Sequence, residues 1–211
     1  MDVWAWWVGG LATALDTISS QGGLSSGWSI VLLTLAVRVA LLPLTLAVAR
    51  RADRTRRIMA GLKPEIEALR ERFKDDPRTL ATETLALQRT RGVRLFDRLI
   101  LANIASQTLF GLGMFRLLGK TGAASRFLWI SNIALPDTVL ALVTGTIMFL
   151  AIALAPGSQG QISWMMAMIP AVITVISLLS LPSAVGIYWA VSNGVSLAQA
   201  IYLDQRWRRS F

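Results

Sequence analysis

Long apolar blocks, each near the ~18 residues that mark a membrane-spanning helix, recur along this chain and constrain what it can fold into more than any other feature. They fall at 28–49, 99–118, 135–155, 162–181 and 184–203. Apolar residues make up 54% of the 211 and charged residues only 16%, which sets the chain apart from an average soluble domain. The expected class is therefore all-α: a polytopic membrane protein of five spans. The last two spans are separated only by Leu181-Pro182-Ser183, which forces a tight antiparallel hairpin.

Charge divides the chain. Fourteen of the 21 Lys and Arg residues lie between Arg50 and Arg98, beside eight acids, giving that stretch a net charge of +6. It is too polar for lipid and reads as a helical hairpin in water, residues 50–98. Ile58, Leu62, Ile66, Leu69 and Phe73 form its apolar stripe. Asp76 is placed to cap the second arm and Pro77 to occupy its first turn. Glu67 with Arg70, and Glu71 with Lys74, are spaced to pair on the exposed face. The excess of basic charge favours anionic lipid or RNA surfaces, and also solvates the hairpin. The hairpin and the tail 204–211 hold 17 basic residues against Arg116, Lys120 and Arg126 on the other side. By the positive-inside rule the hairpin, the loop 156–161 and the C-terminus are cytoplasmic, whereas the loop 119–134 and the N-terminus lie outside. Residues 1–27, with Trp4, Trp6 and Trp7 and no basic residue, make a poor signal peptide and suit an outer-face interfacial helix.

Inside the first span stands Arg38. An arginine at the centre of a spanning helix costs about 2.5–3.5 kcal/mol on insertion scales, so a cavity, a partner or a functional role is expected there; snorkelling to the interface is the plainer alternative. Pro43 removes a backbone donor and frees the carbonyl near Val39. Thr34, Arg38 and Thr45 are spaced to share one face. Asn103, Gln107 and Gly111 form a second polar stripe, and Trp189 and Asn193, continued by Ser196 and Gln199, a third. Each stripe alone is ordinary helix-packing glue; three of them around a central arginine suggest a hydrophilic groove within the bilayer.

The chain contains neither cysteine nor histidine, which removes disulfides, thiolate nucleophiles and the usual metal ligands. No catalytic set, metal site or cofactor site is expected, and the chain does not read as an enzyme. A phosphate-loop pattern at Gly113–Thr121 has its first glycine misplaced by one residue and lies at the outer end of a span. A small transporter or channel subunit is the competing class, but such proteins usually carry internal repeats, which this sequence lacks.

Several motifs together resemble the YidC/Oxa family of membrane protein insertases. They are Val37-Arg38-Val39-Ala40-Leu41-Leu42-Pro43, the Met59–Glu65 start of the hairpin, the Lys74-Asp75-Asp76-Pro77 turn, Phe127-Leu128-Trp129-Ile130 leading to Pro136-Asp137, and Leu181–Trp189 followed by Ser192-Asn193 and Gln199. Their order on a five-span frame is more specific than any one of them. The resemblance implies five spans around a hydrophilic groove open to the cytoplasm and to lipid, with Arg38 as its positive charge. Thr34, Asn103, Gln107, Trp189 and Asn193 would hydrate and shape it. It also implies that short hydrophilic client tails cross the bilayer while apolar spans leave sideways into lipid, without nucleotide or other cofactor. Implied partners are nascent or newly made membrane proteins and a bilayer containing anionic lipids, with the ribosome or Sec translocon as further candidates and no small-molecule substrate. The implied location is the bacterial plasma membrane, with an organellar inner membrane as the lesser alternative. Without a lipobox cysteine or a long basic tail, the chain resembles the family's minimal form, and Thr108-Leu109 follows Gln107 where the family has Gln-x-Pro.

Overall fold

The computed structural model describes residues 2–93, 98–119, 125–155 and 161–208. Among them the secondary structure is helical apart from one isolated bridge, Phe127 to Ile130. Eight helices follow in order: α1 (Val3–Gly22), α2 (Ser26–Ala40), α3 (Leu42–Arg72), α4 (Pro77–Thr90), α5 (Arg98–Leu118), α6 (Thr138–Ala153), α7 (Gln161–Leu178) and α8 (Ser183–Arg208). Lys120, most of the expected loop at 156–161 and the tail residue Arg209 lie outside the described residues.

The chain divides into two compact units, Leu42–Gln107 and the remainder. In the smaller one, α3 and α4 pack together as a helical hairpin. Asp76 caps α4, its Oδ1 accepting the N–H groups of Arg78 and Thr79 at 3.1 Å each, and Pro77 sits in the first turn. The Thr79 hydroxyl donates to Asp76 Oδ2 at 2.5 Å. Hydrogen bonding from Thr79, first through its side chain and then its backbone, with Arg78 adding less, holds the Asp76 carboxyl below the ordinary carboxylate range. Leu62 of the predicted stripe is buried. Across the hairpin Arg91 meets Glu65 at 2.7 Å, a pairing between residues 26 apart that spacing along one helix does not foresee.

The residues expected as one span, 28–49, form two helices that meet at Leu41. Pro43 cannot donate to the Val39 carbonyl, and it is tolerated where it stands because it lies in the first turn of α3. Nothing near residue 50 breaks the helix, so α3 runs on without interruption to Arg72. Of the three residues expected to share one face, Thr34 and Arg38 lie on α2. Thr45 lies on α3, its hydroxyl donating to Leu42 O at 3.0 Å.

In the larger unit α6, α7 and α8 pack with an inverted pattern. Helix α7 buries Ala167, Ala171, Thr174 and Leu178 while exposing Met165, Ile169, Ile173 and Ile176. Small residues inside and large apolar ones outside are what lipid-facing helices require, because close backbone approach and not hydrophobicity holds such helices together. Gly145 of α6 shows the approach: a Cβ there would stand 2.3 Å from Val175 Cγ2. Among the described residues no single helix is both long and apolar enough to cross a membrane; α1 and α2, bent by 120°, meet that test as a pair. The 16 residues of α6 rise roughly 24 Å, against about 30 Å of hydrocarbon.

Helix α1, expected as an interfacial segment, is capped by Asp2 and ends at Gly23 in the left-handed region, φ 59°. One face is packed: Leu11 is buried, Trp7 and Leu15 lie against the core, and Trp7 Nε1 donates to Leu109 O at 3.2 Å. Val3 and Trp6 point outward.

Candidate functional site

Helices α2 and α8 pack against one another and bring Arg38 to Ser192. The break at Leu41 changes the character of this arginine, for it stands in the last turn of α2 and not in the middle of one continuous helix. At a helix C-terminus the backbone dipole favours a cation by about 0.3–1 kcal/mol, which offsets part of the insertion cost that the sequence suggested.

Arg38 is half-buried, and Nε donates to Ser192 Oγ at 2.9 Å while one terminal nitrogen donates to the same oxygen. Ser192 is in turn hydrogen-bonded to the hydroxyl of Tyr188, one helical turn earlier on α8. Both α8 residues are buried, and Phe110 stands edge-on to the Tyr188 ring, centroids 5.7 Å apart. Hydroxyls suit this position because guanidinium has five donors and no acceptor, and Ser192 Oγ accepts two of them while keeping its own proton to donate.

The residues singled out from sequence are distributed as follows. Thr34 is fully buried four residues before Arg38, but its hydroxyl donates to Ile30 O at 2.7 Å and so is engaged by its own helix. Trp189 is half-buried against the edge of the apolar core, and Asn193 is half-buried one residue past Ser192. Asn103 and Gln107 belong to the smaller unit, where Gln107 Nε2 donates to Asn103 Oδ1 at 3.0 Å. Sequence reasoning missed Tyr188 and Ser192. The signal was present: Tyr188, Ser192, Ser196 and Gln199 repeat at four, four and three, a polar stripe one position over from Trp189 and Asn193. Among the described residues no group of three or more acidic, Cys or His side chains could hold a metal ion.

A family model described as 60Kd inner membrane protein matches residues 17–210. The chain belongs to this family. Among curated proteins it is similar to a membrane protein insertase YidC of Fusobacterium nucleatum, 30% identical over 200 residues that cover 93% of this chain and 94% of the relative. A Chloroherpeton thalassium protein of the same name is 27% identical over 86% of this chain, but only 33% of its own length is spanned. A YidC 2 of Lactococcus lactis is 25% identical, over 92% of this chain and 63% of the relative. Among solved structures, an active YidC insertase crystal structure with the first transmembrane domain resolved has a TM-score of 0.64 at 22% identity, covering 96% of this chain and 47% of the other. That likeness carries the fold. The family assignment and the lipid-type packing of α6 and α7 agree on an all-helical membrane protein.

Proposed function

We propose that this chain is a membrane protein insertase that works through the charge of Arg38. The carrying observation is a half-buried guanidinium presented by the end of α2 and held by the hydroxyl of Ser192, with Tyr188 beside Ser192 on α8, in a bundle whose outer surface is apolar. In a hydrated groove of effective dielectric near 20, a unit charge attracts a carboxylate 4 Å away by about 4 kcal/mol, against about 1 kcal/mol in bulk water. That is enough to draw an acidic client tail into the bilayer transiently and too little to hold it. The client's apolar segment then partitions sideways into lipid, driven by burial of its own surface. Asn103, Gln107, Thr34, Trp189 and Asn193 enter this reading from sequence likeness, with Tyr188 and Ser192 added as the side chains that orient the charge.

On this reading five spans place the basic hairpin and the C-terminus in the cytoplasm and the N-terminus outside. Clients are newly made membrane proteins, and the hairpin's net charge draws it to anionic lipid at the cytoplasmic face of a bacterial plasma membrane. The ribosome and the Sec translocon are candidate donors of clients. Proteoliposomes containing the purified chain test the proposal: a single-span client with a short acidic tail becomes protease-protected more than in empty liposomes. Equal protection in both would reject insertase activity and raise the transporter class.

A further inference from the structure

The segment between α5 and α6 folds tightly around its aromatic residues. Phe127 and Ile130 exchange backbone hydrogen bonds of 2.9 and 2.8 Å, closing a two-residue turn at Leu128-Trp129. Leu128 has φ 51°, a left-handed conformation that glycine or asparagine adopts readily and a leucine avoids. The flanking Phe127 and Ile130 are buried, while Leu128 and Trp129 are 60% and 54% exposed. A turn meant for water would have the opposite chemistry at its tip.

The turn is also held firmly. Trp129 Nε1 donates to Asp137 Oδ1 at 3.3 Å, the oxygen that caps α6 through Leu140 N at 2.7 Å. Ser183 N and Oγ donate to Leu135 O at 3.0 and 2.6 Å, and Ala184 N to Ile133 O at 2.9 Å, so the segment is tied to the start of α8. On the other flank Trp28, 48% exposed, stands edge-on to Phe127 at 5.3 Å. Exposed apolar surface continues from the turn through Leu135 to Val139 and Leu142 on α6, the helix whose outer face is lipid-type. Arg126, exposed beside Phe127, supplies a cation where lipid phosphates would lie.

We propose that the Leu128-Trp129 turn is a rigid wedge seated in the headgroup–acyl boundary of a phospholipid bilayer. Its strained backbone turns two large apolar side chains outward, its indole N–H is satisfied within the protein, and Arg126 meets the phosphates. Continuity with the apolar face of α6 and the neighbouring cation select lipid over a protein partner. On the orientation proposed above, the wedge sits in the outer leaflet. It fixes the depth and tilt of the α6–α8 bundle, since it is tied to the first turns of both helices.

The absence of cysteine makes the test direct. Leu128→Cys and, separately, Trp129→Cys are spin-labelled in vesicles of phosphatidylethanolamine and phosphatidylglycerol, and collision rates with oxygen and a water-soluble nickel complex are measured. Lys74→Cys on the hairpin is the water reference and Leu142→Cys the lipid reference. The expected result is an oxygen-to-nickel ratio at both turn positions several-fold above that at Lys74 and approaching that at Leu142. A ratio equal to that at Lys74 overturns the proposal, because the turn then lies in water. Inaccessibility to both reagents also overturns it, because protein then covers the turn. Neither readout depends on client insertion, so a failed insertase assay with a lipid-embedded turn rejects only the activity, and the converse rejects only the wedge.

Discussion

Gly27→Ala should loosen the packing of α2 against the Phe127 turn through one identifiable collision. Gly27 is buried in the first turn of α2, and a Cβ there would lie 2.3 Å from Cδ2, 2.6 Å from Cγ and 2.7 Å from Cβ of Phe127. Comfortable carbon contacts are near 3.5–4.0 Å, so the neighbour must retreat by about 1 Å. Rotating the Phe127 ring about Cβ–Cγ moves Cδ2 and a change of χ1 moves Cγ, but neither moves Cβ, the stem of the side chain. Overpacking of this kind costs about 1–3 kcal/mol. Alanine's better helix propensity returns at most about 1 kcal/mol, and less this close to the helix start. A net loss of roughly 1–2 kcal/mol is expected, read as reversible unfolding in mixed micelles at rising dodecyl sulfate. Phe127→Ala alone should cost about 3–5 kcal/mol. In that background Gly27→Ala should cost less, with a coupling of at least about 0.5 kcal/mol. Strict additivity, or a Gly27→Ala variant as stable as the wild type, would refute the reasoning.

Three further outcomes are expected. Ser192→Ala removes the acceptor of two hydrogen bonds from half-buried Arg38 and should lower stability by about 1–3 kcal/mol in the same unfolding assay, with Ser192→Thr largely retaining it. Arg91→Ala should change hairpin stability by less than about 1 kcal/mol, measured by hydrogen exchange of α4, because both members of the Glu65 pair are about half exposed. Asp76 has its carboxyl depressed in the folded hairpin, so its support of α4 is complete above the unfolded carboxylate value and is lost as pH falls through the lower folded value. Amide chemical shifts of Arg78 and Thr79 should therefore titrate below the ordinary aspartate range, and titration within that range would contradict the capping geometry.

The hairpin with its Asp76 cap and Pro77 start was legible because capping is local chemistry written in consecutive residues. The break at Leu41 was half legible: Pro43 announced a freed carbonyl, but hydropathy runs straight across it, so one span was expected where two helices form. That break moves Arg38 to a helix end, which no hydropathy count reveals. The hydrogen-bond acceptor of Arg38 lies one position from residues the sequence singled out. Trp189 and Asn193 stand out in the sequence as large and amide side chains, whereas the buried hydroxyl of Ser192, about 100° round the helix from Asn193 and beside Tyr188, holds the guanidinium. The turn at Leu128-Trp129 is not legible in the sequence, because Phe127-Leu128-Trp129-Ile130 is uniformly apolar and only tertiary packing decides which of the four are buried.

On the proposed mechanism the positive charge at residue 38, and not the shape of its side chain, drives insertion. Wild-type protein, Arg38→Ala and Arg38→Lys should be compared in proteoliposomes with a single-span client whose translocated tail is acidic. The account predicts that the alanine variant falls to the level of empty liposomes while the lysine variant retains most of the activity. Insertion by Arg38→Ala equal to wild type would contradict it.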